Sequence, residues 1–428
     1  MSSIYTIDNA GYPQDFLNSI KVPVTEEIQR TCTLSGTLRS QLKPGNDFTF
    51  TLDQAIVTAE RHMFILDPAS KVINLNPSKL VSDWVNLLRW EVGAFWQVIR
   101  GSPDQITTKA QFTHEHPKRS GEMLAEGISL LFLEDRMKYP PQCFWFYKGA
   151  KARPDFIFDS TFRGMGGMWN GSQFGVEARC RSSQANLHGV DEDDLQAKKA
   201  ANPNLSCVLG VYFFHGQGPH ASNSAPMTRI HLADPEGQGR SMHDYERAWV
   251  IINHYLGVVS RIGMWEHRDH LSQCLHDAAS GLYPKRHLSP QDPKAIRRVV
   301  HGPLGWPRDK KNFVGRHFNT LLEMACERPA DQHEYRLIRQ RVQAALDSGS
   351  FGYHVFRGLR KDVVAFLADA KWRELEQYRD KDTGIHDHGV TITADGVLVQ
   401  RMLVTDRTTQ EAQDVVDQLR AKEYRIND

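Results

Sequence analysis

The chain has 428 residues, of which 40% are apolar and 24% are charged. These proportions are typical of a globular protein with room for two or three domains, and they exclude wholesale disorder. The formal net charge of +1 excludes an overall basic attraction to nucleic acid, although a local basic groove is able to supply that attraction.

The first residues show no basic segment followed by an apolar run, so they predict no signal peptide. No uninterrupted apolar stretch approaches the roughly 20 residues that span a bilayer. The six cysteines are scattered without a CxxC pair and predict no disulfide framework. We therefore expect a cytoplasmic protein that makes no contact with a membrane.

Residues 1–118 are predicted to form a mainly helical region. The alternating pattern of residues 47–57 indicates a strand, or a strand that runs into a helix. Apolar residues recur every three or four positions over 78–101, which predicts a helix that Ser78 could cap and that ends at Gly101.

Residues 119–216 have the pattern of a separate α/β unit. An amphipathic helix comes first, the strands are rich in aromatic and β-branched residues, and the second helix has acidic residues in its first turn. The predicted order is helix, two or three strands, helix, strand, at residues 120–137, 142–149, 153–160, 174–181, 191–202 and 204–216.

Residues 217–428 are predicted to form a mainly helical region. Its amphipathic segments predict two helices over 241–280 and further helices from 313 to about 380. The broad apolar face of 241–280 indicates core packing, with a homo-oligomer surface as the alternative. An Ala-Asp-Gly turn between two β-branched runs predicts a hairpin near 386–404, and residues 408–424 predict a closing helix.

The segment at 283–312 has a local excess of basic residues. It could contact nucleic acid or an acidic partner protein, or it could be a solvated connector.

Two acids lie inside apolar, strand-like segments of the central unit. Asp155 follows Pro154 and precedes Phe-Ile-Phe, and Glu177 lies in the next predicted strand. An acid in such a place is costly to bury unless it is paired or holds a cation. Carboxylates on adjacent strands are natural ligands for Mg²⁺, and a metal there could activate a water against a phosphodiester.

A purely structural interpretation of the same residues is also open. Asp155 could begin a turn after the proline, and Glu177 could pair with Arg179 or Arg181 on the edge of a sheet.

The central unit resembles the PD-(D/E)xK superfamily of nucleases. The resemblance rests on Pro154–Asp155, on Glu177-Ala178-Arg179 in the place of (D/E)xK, and on the order of the helices and strands, over roughly 100 of the 428 residues. It implies an α/β fold with a restriction-endonuclease-like core, which is a central mixed sheet flanked by helices. The remaining residues would add the mainly helical N- and C-terminal regions.

The resemblance also implies a set of site residues. Asp155 and Glu177 would hold Mg²⁺ or Mn²⁺, and Glu126 or Glu122, one turn apart on the preceding helix, would be a further acid. Gln196 matches a position where many members carry a polar residue that faces the site.

One residue departs from the motif, because Arg179 stands where the superfamily has lysine. Arginine stays protonated and presents a fixed fork to phosphate oxygens, whereas lysine can shift its pKa and activate water. Arg179 could stabilise the developing charge, Lys148 or Lys151 could replace the lysine, or catalysis could be lost.

These expectations favour a metal-dependent endonuclease that hydrolyses phosphodiester bonds, most plausibly in DNA. The resemblance extends this to a role in restriction, repair or defence against mobile DNA. The alternatives are a catalytically inactive nuclease fold that binds nucleic acid or assists assembly, and a metal-independent module that contacts other proteins.

A weaker metal candidate is formed by His267, His270 and Cys274. Their spacing places them on one helix face, and they are the atom types that zinc prefers. Three ligands without a partner motif are a weak zinc signal.

Overall fold

The structure is a computed structural model that describes residues 19–26, 36–51, 54–55, 57–58, 98–100, 106–108, 117–139, 141–146, 154–159, 173–181, 191–214, 216–217, 229–233, 242–262, 264–288, 312–319, 353–386 and 390–403. The described residues form a mixed α/β fold with several sheets. Most of the predicted helix at 78–101 and the whole of the predicted helix at 408–424 lie outside the described residues.

The part of the chain before residue 117 contributes short strands and one helix. They are β1 (Ser19–Val22), β2 (Val24–Glu26), α1 (Gly36–Leu42), β3 (Phe48–Thr51), β4 (Val98–Arg100) and β5 (Ile106–Thr108). β1 pairs with β3, and β4 pairs with β5, in both cases antiparallel. The strand predicted to begin at residue 47, and the helical residues after it, are confirmed.

One expectation for this region is wrong where the structure describes it, because Val98–Arg100 is a strand rather than the end of a helix. Val98 and Ile99 are β-branched, and Gly101 and Pro103 follow closely. Such residues fit a short strand before a turn better than a final helical turn.

The central unit supplies most of a six-stranded sheet. Its elements are α2 (Pro117–Met137), β6 (Trp145–Phe146), β7 (Phe156–Asp159), β8 (Gln173–Arg181), α3 (Glu192–Ala201), β9 (Leu205–Phe214) and β10 (Gly216–Gln217), and β11 (Arg229–Ala233) follows the unit. The strand order is β2-β11-β9-β8-β7-β6. β6, β7 and β8 are successively antiparallel, whereas β8 and β9 are parallel and are joined through α3.

The predicted order of helix, strands, helix and strand is therefore confirmed for this unit. The apolar side chains of β7, β8 and β9 are buried almost completely. This explains their continuous aromatic and β-branched sequence, because a strand covered on both faces has no need to alternate. The sheet also recruits β2 and β11, which lie outside residues 119–216.

Two helices follow, as predicted, at α4 (Asp244–Ile262) and α5 (Trp265–Ala279). Most of α4 is buried, including Ile252, Tyr255 and Val259, and these side chains belong to the main core. None of the described helices combines the length and the apolar character needed to cross a membrane.

The last described part of the chain forms a five-stranded antiparallel sheet with two short helices. Its elements are β12 (Phe313–Asn319), β13 (Tyr353–Arg360), α6 (Lys361–Ala368), α7 (Trp372–Gln377), β14 (Gly384–His386), β15 (Val390–Ile392) and β16 (Val397–Leu403). The strand order is β12-β13-β16-β15-β14. The predicted hairpin is confirmed as β15 and β16, with Gly396 at a φ of +81° in its turn.

The expectation of a helical segment from 313 to about 380 is wrong for β12 and β13. Both strands carry arginine and histidine among their apolar residues, which hides the alternation that marks a strand. Phe313 and Phe356 join a small core on one face of this sheet, whereas Leu359 belongs to the main core on the other.

Candidate functional site

The two predicted acids face each other across neighbouring strands. The register of β7 and β8 pairs Phe156 with Val176, which places Asp155 opposite Glu177. The backbone N–H of Ala178 donates a hydrogen bond of 2.8 Å to Oδ2 of Asp155. Asp155 is therefore fixed to the strand that carries Glu177.

Glu177 is fully buried, at 0% exposure. Its Oε1 lies 2.5 Å from Nη2 of Arg179, and its Oε2 forms an ion pair with Nζ of Lys198. The ammonium of Lys198 also donates a hydrogen bond to this carboxylate. A carboxylate has about four lone-pair sites, so Glu177 keeps capacity for a further partner.

The helix α3 brings a second acid to the same two cations. Oδ2 of Asp194 lies 2.9 Å from Nη2 of Arg179 and 3.1 Å from Nζ of Lys198. Asp194 and Lys198 are one turn apart and therefore share a face of the helix. Arg179 and Lys198 each connect the buried Glu177 to the more exposed Asp194.

A glycine lets α3 pack this closely against the sheet. Gly210 on β9 pairs in register with Glu177. A Cβ atom at Gly210 would lie 2.8 Å from Cδ1 of Leu195 on α3 and 2.7 Å from the ring of Tyr212. The space that a side chain at position 210 would need is therefore occupied by Leu195 of α3, the helix that also carries Lys198.

A second glycine makes room beside Asp155. A Cβ atom at Gly175 would lie 2.8 Å from Cγ of Pro154 and 3.0 Å from Leu205. The ring of Pro154 packs into that space, so the residue before Asp155 is held against β8.

Glu126 on α2 is the helical acid that reaches the pair. It is half-buried, and its negative charge acts on Asp155. The side chain of Glu122, the other candidate, lies outside the described residues.

Burial and like charge hold both acids toward their neutral forms. Burial, and then the charge of Glu126, raise the pKa of Asp155 to about 6. Burial, and then the charge of Asp155, raise the pKa of Glu177 to about 8, although Arg179 and Lys198 oppose the shift. Burial disfavours the charge of Arg179, yet its acidic neighbours raise its pKa above the ordinary value.

The charges of the site do not cancel. The ionisable groups that meet there, among the described residues, are Glu126, Asp155, Glu177, Arg179, Asp194 and Lys198. Four carboxylates and two cations leave a charge of −2 when every acid is ionised. A divalent cation would neutralise this charge.

The donor set fits Mg²⁺ or Mn²⁺ without forming a complete cage. Within the described residues, no three carboxylate, imidazole or thiol groups are arranged to hold a metal ion. Mg²⁺ binds commonly through one or two carboxylates and fills its other positions with water and phosphate oxygens. Asp155 and Glu177 provide the two carboxylates that such a site needs.

The structural interpretation of these residues is correct in one respect and wrong in another. Glu177 does pair with Arg179, but β8 lies inside the sheet, between β7 and β9, rather than at its edge. An ion pair at this depth is costly to desolvate and is not explained by surface charge balance.

Lys198 and Asp194 are the site residues that the sequence interpretation missed. Lys148 and Lys151, the lysines proposed instead, lie outside the described residues. The signal was present in the predicted helix at 191–202, where Asp194, Leu195 and Lys198 fall on one face and Leu195 is apolar.

Gln196 occupies a different side of α3. It is exposed, and it lies two positions from both Asp194 and Lys198. Two positions correspond to a rotation of about 200° around a helix. The helix residues that face the acids are therefore Asp194 and Lys198 rather than Gln196.

His267, His270 and Cys274 lie on α5, as their spacing predicts. Sγ of Cys274 is 3.8 Å from Nε2 of His270. Burial, and then the neighbouring His270, lower the pKa of His267 to about 4. The three side chains form no metal-holding group within the described part of the chain.

No family model, curated protein or solved structure matches this chain.

Proposed function

We propose that this chain is a Mg²⁺- or Mn²⁺-dependent endonuclease that hydrolyses phosphodiester bonds in DNA. The observation that carries the proposal is the half-buried Asp155 opposite the fully buried Glu177 on a neighbouring strand, beside two cations. Buried acids with raised pKa values and defined charge partners are typical of functional sites.

The topology supports a restriction-endonuclease-like core of the PD-(D/E)xK type. A helix precedes three antiparallel strands, and a second helix leads to a parallel strand. Asp155 borders the second of the three strands, and Glu177 lies in the third. This is the arrangement that the Pro-Asp and Glu-x-Arg segments imply.

Asp155 and Glu177 would hold the metal ion, with Glu126 as the third acid. What a divalent ion supplies in such a site is an activated water and stabilisation of charge on the phosphate. Asp155 is fixed by the N–H of Ala178, so it does not have to be ordered at the moment of reaction.

In this chain, Arg179 and Lys198 would together take the role that the single lysine of the (D/E)xK motif has in the superfamily. Arg179 keeps its proton, so its guanidinium can donate to a phosphate oxygen as negative charge develops there. Lys198 places an ammonium between Oε2 of Glu177 and Oδ2 of Asp194, where it can orient a water for attack.

A second function is favoured by one observation. Both oxygens of Glu177 already have a protein cation beside them. A nuclease fold that has lost catalysis could stabilise its former site in this way and act only as a nucleic-acid-binding or assembly module. Metal binding separates this function from the first.

The decisive experiment measures cleavage of plasmid DNA, single-stranded DNA and RNA with Mg²⁺, Mn²⁺ or EDTA. Asp155→Asn and Glu177→Gln should each reduce the cleavage rate roughly 100-fold or more, because metal sites and charge stabilisation contribute at that scale. Asp193→Asn is the matched control, because Asp193 is an exposed acid on α3.

Metal-dependent cutting of DNA that only the first two variants lose would support the proposal. Equal cutting by all proteins would assign the activity to other residues. Inert protein that also fails to bind Mn²⁺ would favour the binding module.

A further inference from the structure

Asp194 shares both of its cations with Glu177. Arg179 Nη2 lies 2.5 Å from Glu177 and 2.9 Å from Asp194. Nζ of Lys198 contacts Oε2 of Glu177 and lies 3.1 Å from Asp194. The two acids therefore compete for the same two positive groups.

The competing acids differ in their access to solvent. The side chain of Glu177 is 1% exposed, whereas that of Asp194 is 36% exposed. A cation that shifts from Glu177 toward Asp194 moves from the interior to the rim of the site. Lysine can make this shift by rotation about its side-chain bonds, without movement of the backbone.

Such a shift matters because a protein cation and a metal ion cannot both neutralise one buried carboxylate without mutual repulsion. A divalent ion that binds Glu177 has to displace or repel Lys198 and Arg179. Asp194 lies on the outer side of both cations, so it lowers the energy of the arrangement in which they have moved away from Glu177.

We propose that Asp194 is a positioning residue that sets the metal affinity of the site by drawing Lys198 and Arg179 away from Glu177. The proposal rests on the proposed metal site at Asp155 and Glu177. It assigns Lys198 two states, one that holds Glu177 before the metal enters and one that pairs with Asp194 afterwards.

The test is calorimetric titration of the full chain with Mn²⁺, combined with the same titration followed by the electron paramagnetic resonance signal of free Mn²⁺. Asp194→Asn should weaken Mn²⁺ binding about five- to tenfold, and Lys198→Met should strengthen it by a similar factor. Asp194→Glu should restore binding close to that of the wild type, because the carboxylate returns.

A double-mutant cycle separates this role from a simple loss of negative charge. In the Lys198→Met background, Asp194→Asn should weaken binding by a clearly smaller factor, because the main cation that Asp194 draws outward is gone. The matched control is Asp193→Asn, which removes the same charge from an exposed neighbour on α3.

The outcomes are distinct. If Asp155→Asn abolishes Mn²⁺ binding but Asp194→Asn leaves it unchanged, or acts equally in both backgrounds, the metal site stands and the role of Asp194 is refuted. If Asp155→Asn binds Mn²⁺ as the wild type does, the proposed function fails and this inference fails with it. Thermal unfolding of each variant confirms that the proteins compared are folded.

Discussion

Glu177 holds its carboxyl group where water cannot reach it, and that position dominates its chemistry. Burial of Glu177 raises the pKa of its carboxyl group to about 8. Burial of Asp155 and the charge of Glu126 raise the pKa of Asp155 to about 6. The native chain therefore binds protons that the unfolded chain has already released at the same pH. Two consequences of these protons can be measured.

The first consequence concerns the stability of the metal-free protein. The stabilising contribution of both protonated acids is complete below a pH of about 4, where the unfolded chain is also protonated, and is lost as the pH rises through about 6 and about 8. The free energy of unfolding in EDTA should therefore fall between pH 5 and pH 8.5.

The doubly substituted Asp155→Asn, Glu177→Gln protein cannot titrate at these positions and should show a shallower decline. Denaturation in urea at several pH values measures both proteins. Parallel pH profiles would contradict the raised pKa values.

The second consequence concerns metal binding. A metal ion that binds Asp155 and Glu177 has to displace their protons, so its affinity should rise by up to about tenfold per pH unit for each proton released. For the wild type, the metal affinity should continue to rise up to a pH of about 8, the pKa of Glu177. Titration with Mn²⁺ in buffers of different ionisation enthalpy counts the protons, and a pH-independent affinity would refute their displacement.

At the scale of the elements, the sheet could be predicted where its sequence is locally unambiguous. The strands β7, β8 and β9 are rich in apolar residues, and an acid inside or beside such a run is conspicuous, so the sequence alone points to Asp155 and Glu177. It does not point to Lys198 and Asp194, because charged residues on a helix resemble a solvated face until the packing of that helix is known.

The same limit explains the errors. Arginine and histidine in β12 and β13 disguise two strands whose partners are distant in sequence, since β12 pairs with β13 and β13 with β16. Pairing between distant segments is a tertiary property, and no local pattern reports it.

The packing of α3 against β9 leads to a prediction at Gly210. Alanine there would normally favour a strand, but its Cβ would meet Leu195 and Tyr212 at less than 3.0 Å. Gly210→Ala should lower the free energy of unfolding by about 1 to 3 kcal/mol through overpacking. It should also reduce cleavage, because α3 and Lys198 move away from Glu177.

Gly175→Ala is the informative comparison, because its Cβ meets Pro154 rather than α3. Gly175→Ala should act on the site through Asp155 rather than through α3. Metal titration and urea denaturation of both variants compare the two effects. A Gly210→Ala protein that is more stable than the wild type, with unchanged cleavage, would contradict the packing argument.

At the scale of the whole molecule, the C-terminal sheet is joined to the rest by buried polar contacts. Nε2 of His254 on α4 lies 2.7 Å from Oδ2 of Asp395 in the hairpin turn, and the hydroxyl of Tyr255 donates to the carbonyl of Asp395 at 3.1 Å. The amide of Gln142 donates to the carbonyl of Leu375 at 2.7 Å. Side chains from this sheet also belong to the main core.

The buried pair of His254 and Asp395 should therefore be important for stability. Asp395→Ala removes the carboxylate beside Nε2 of the buried His254 and should cost roughly 1 to 3 kcal/mol. Asp369→Ala is the control, because its pair with Lys371 is about half exposed on both sides and should contribute less than about 1 kcal/mol. Chemical denaturation measures both, and equal losses would show that the buried pair does not join the two parts.

The position of β2 at the edge of the central sheet has a consequence for synthesis of the protein. β2 pairs with β11, and β11 separates it from β9, although 202 residues lie between Glu26 and Arg229. At a translation rate of about 5 to 20 residues per second, β2 waits roughly 10 to 40 s for its partner. During that interval the nascent chain already contains Asp155, Glu177 and Lys198, while one edge of the apolar strand β9 is uncovered. Because an open apolar edge invites pairing with other chains, the emerging protein is most prone to aggregate just before β11 leaves the ribosome.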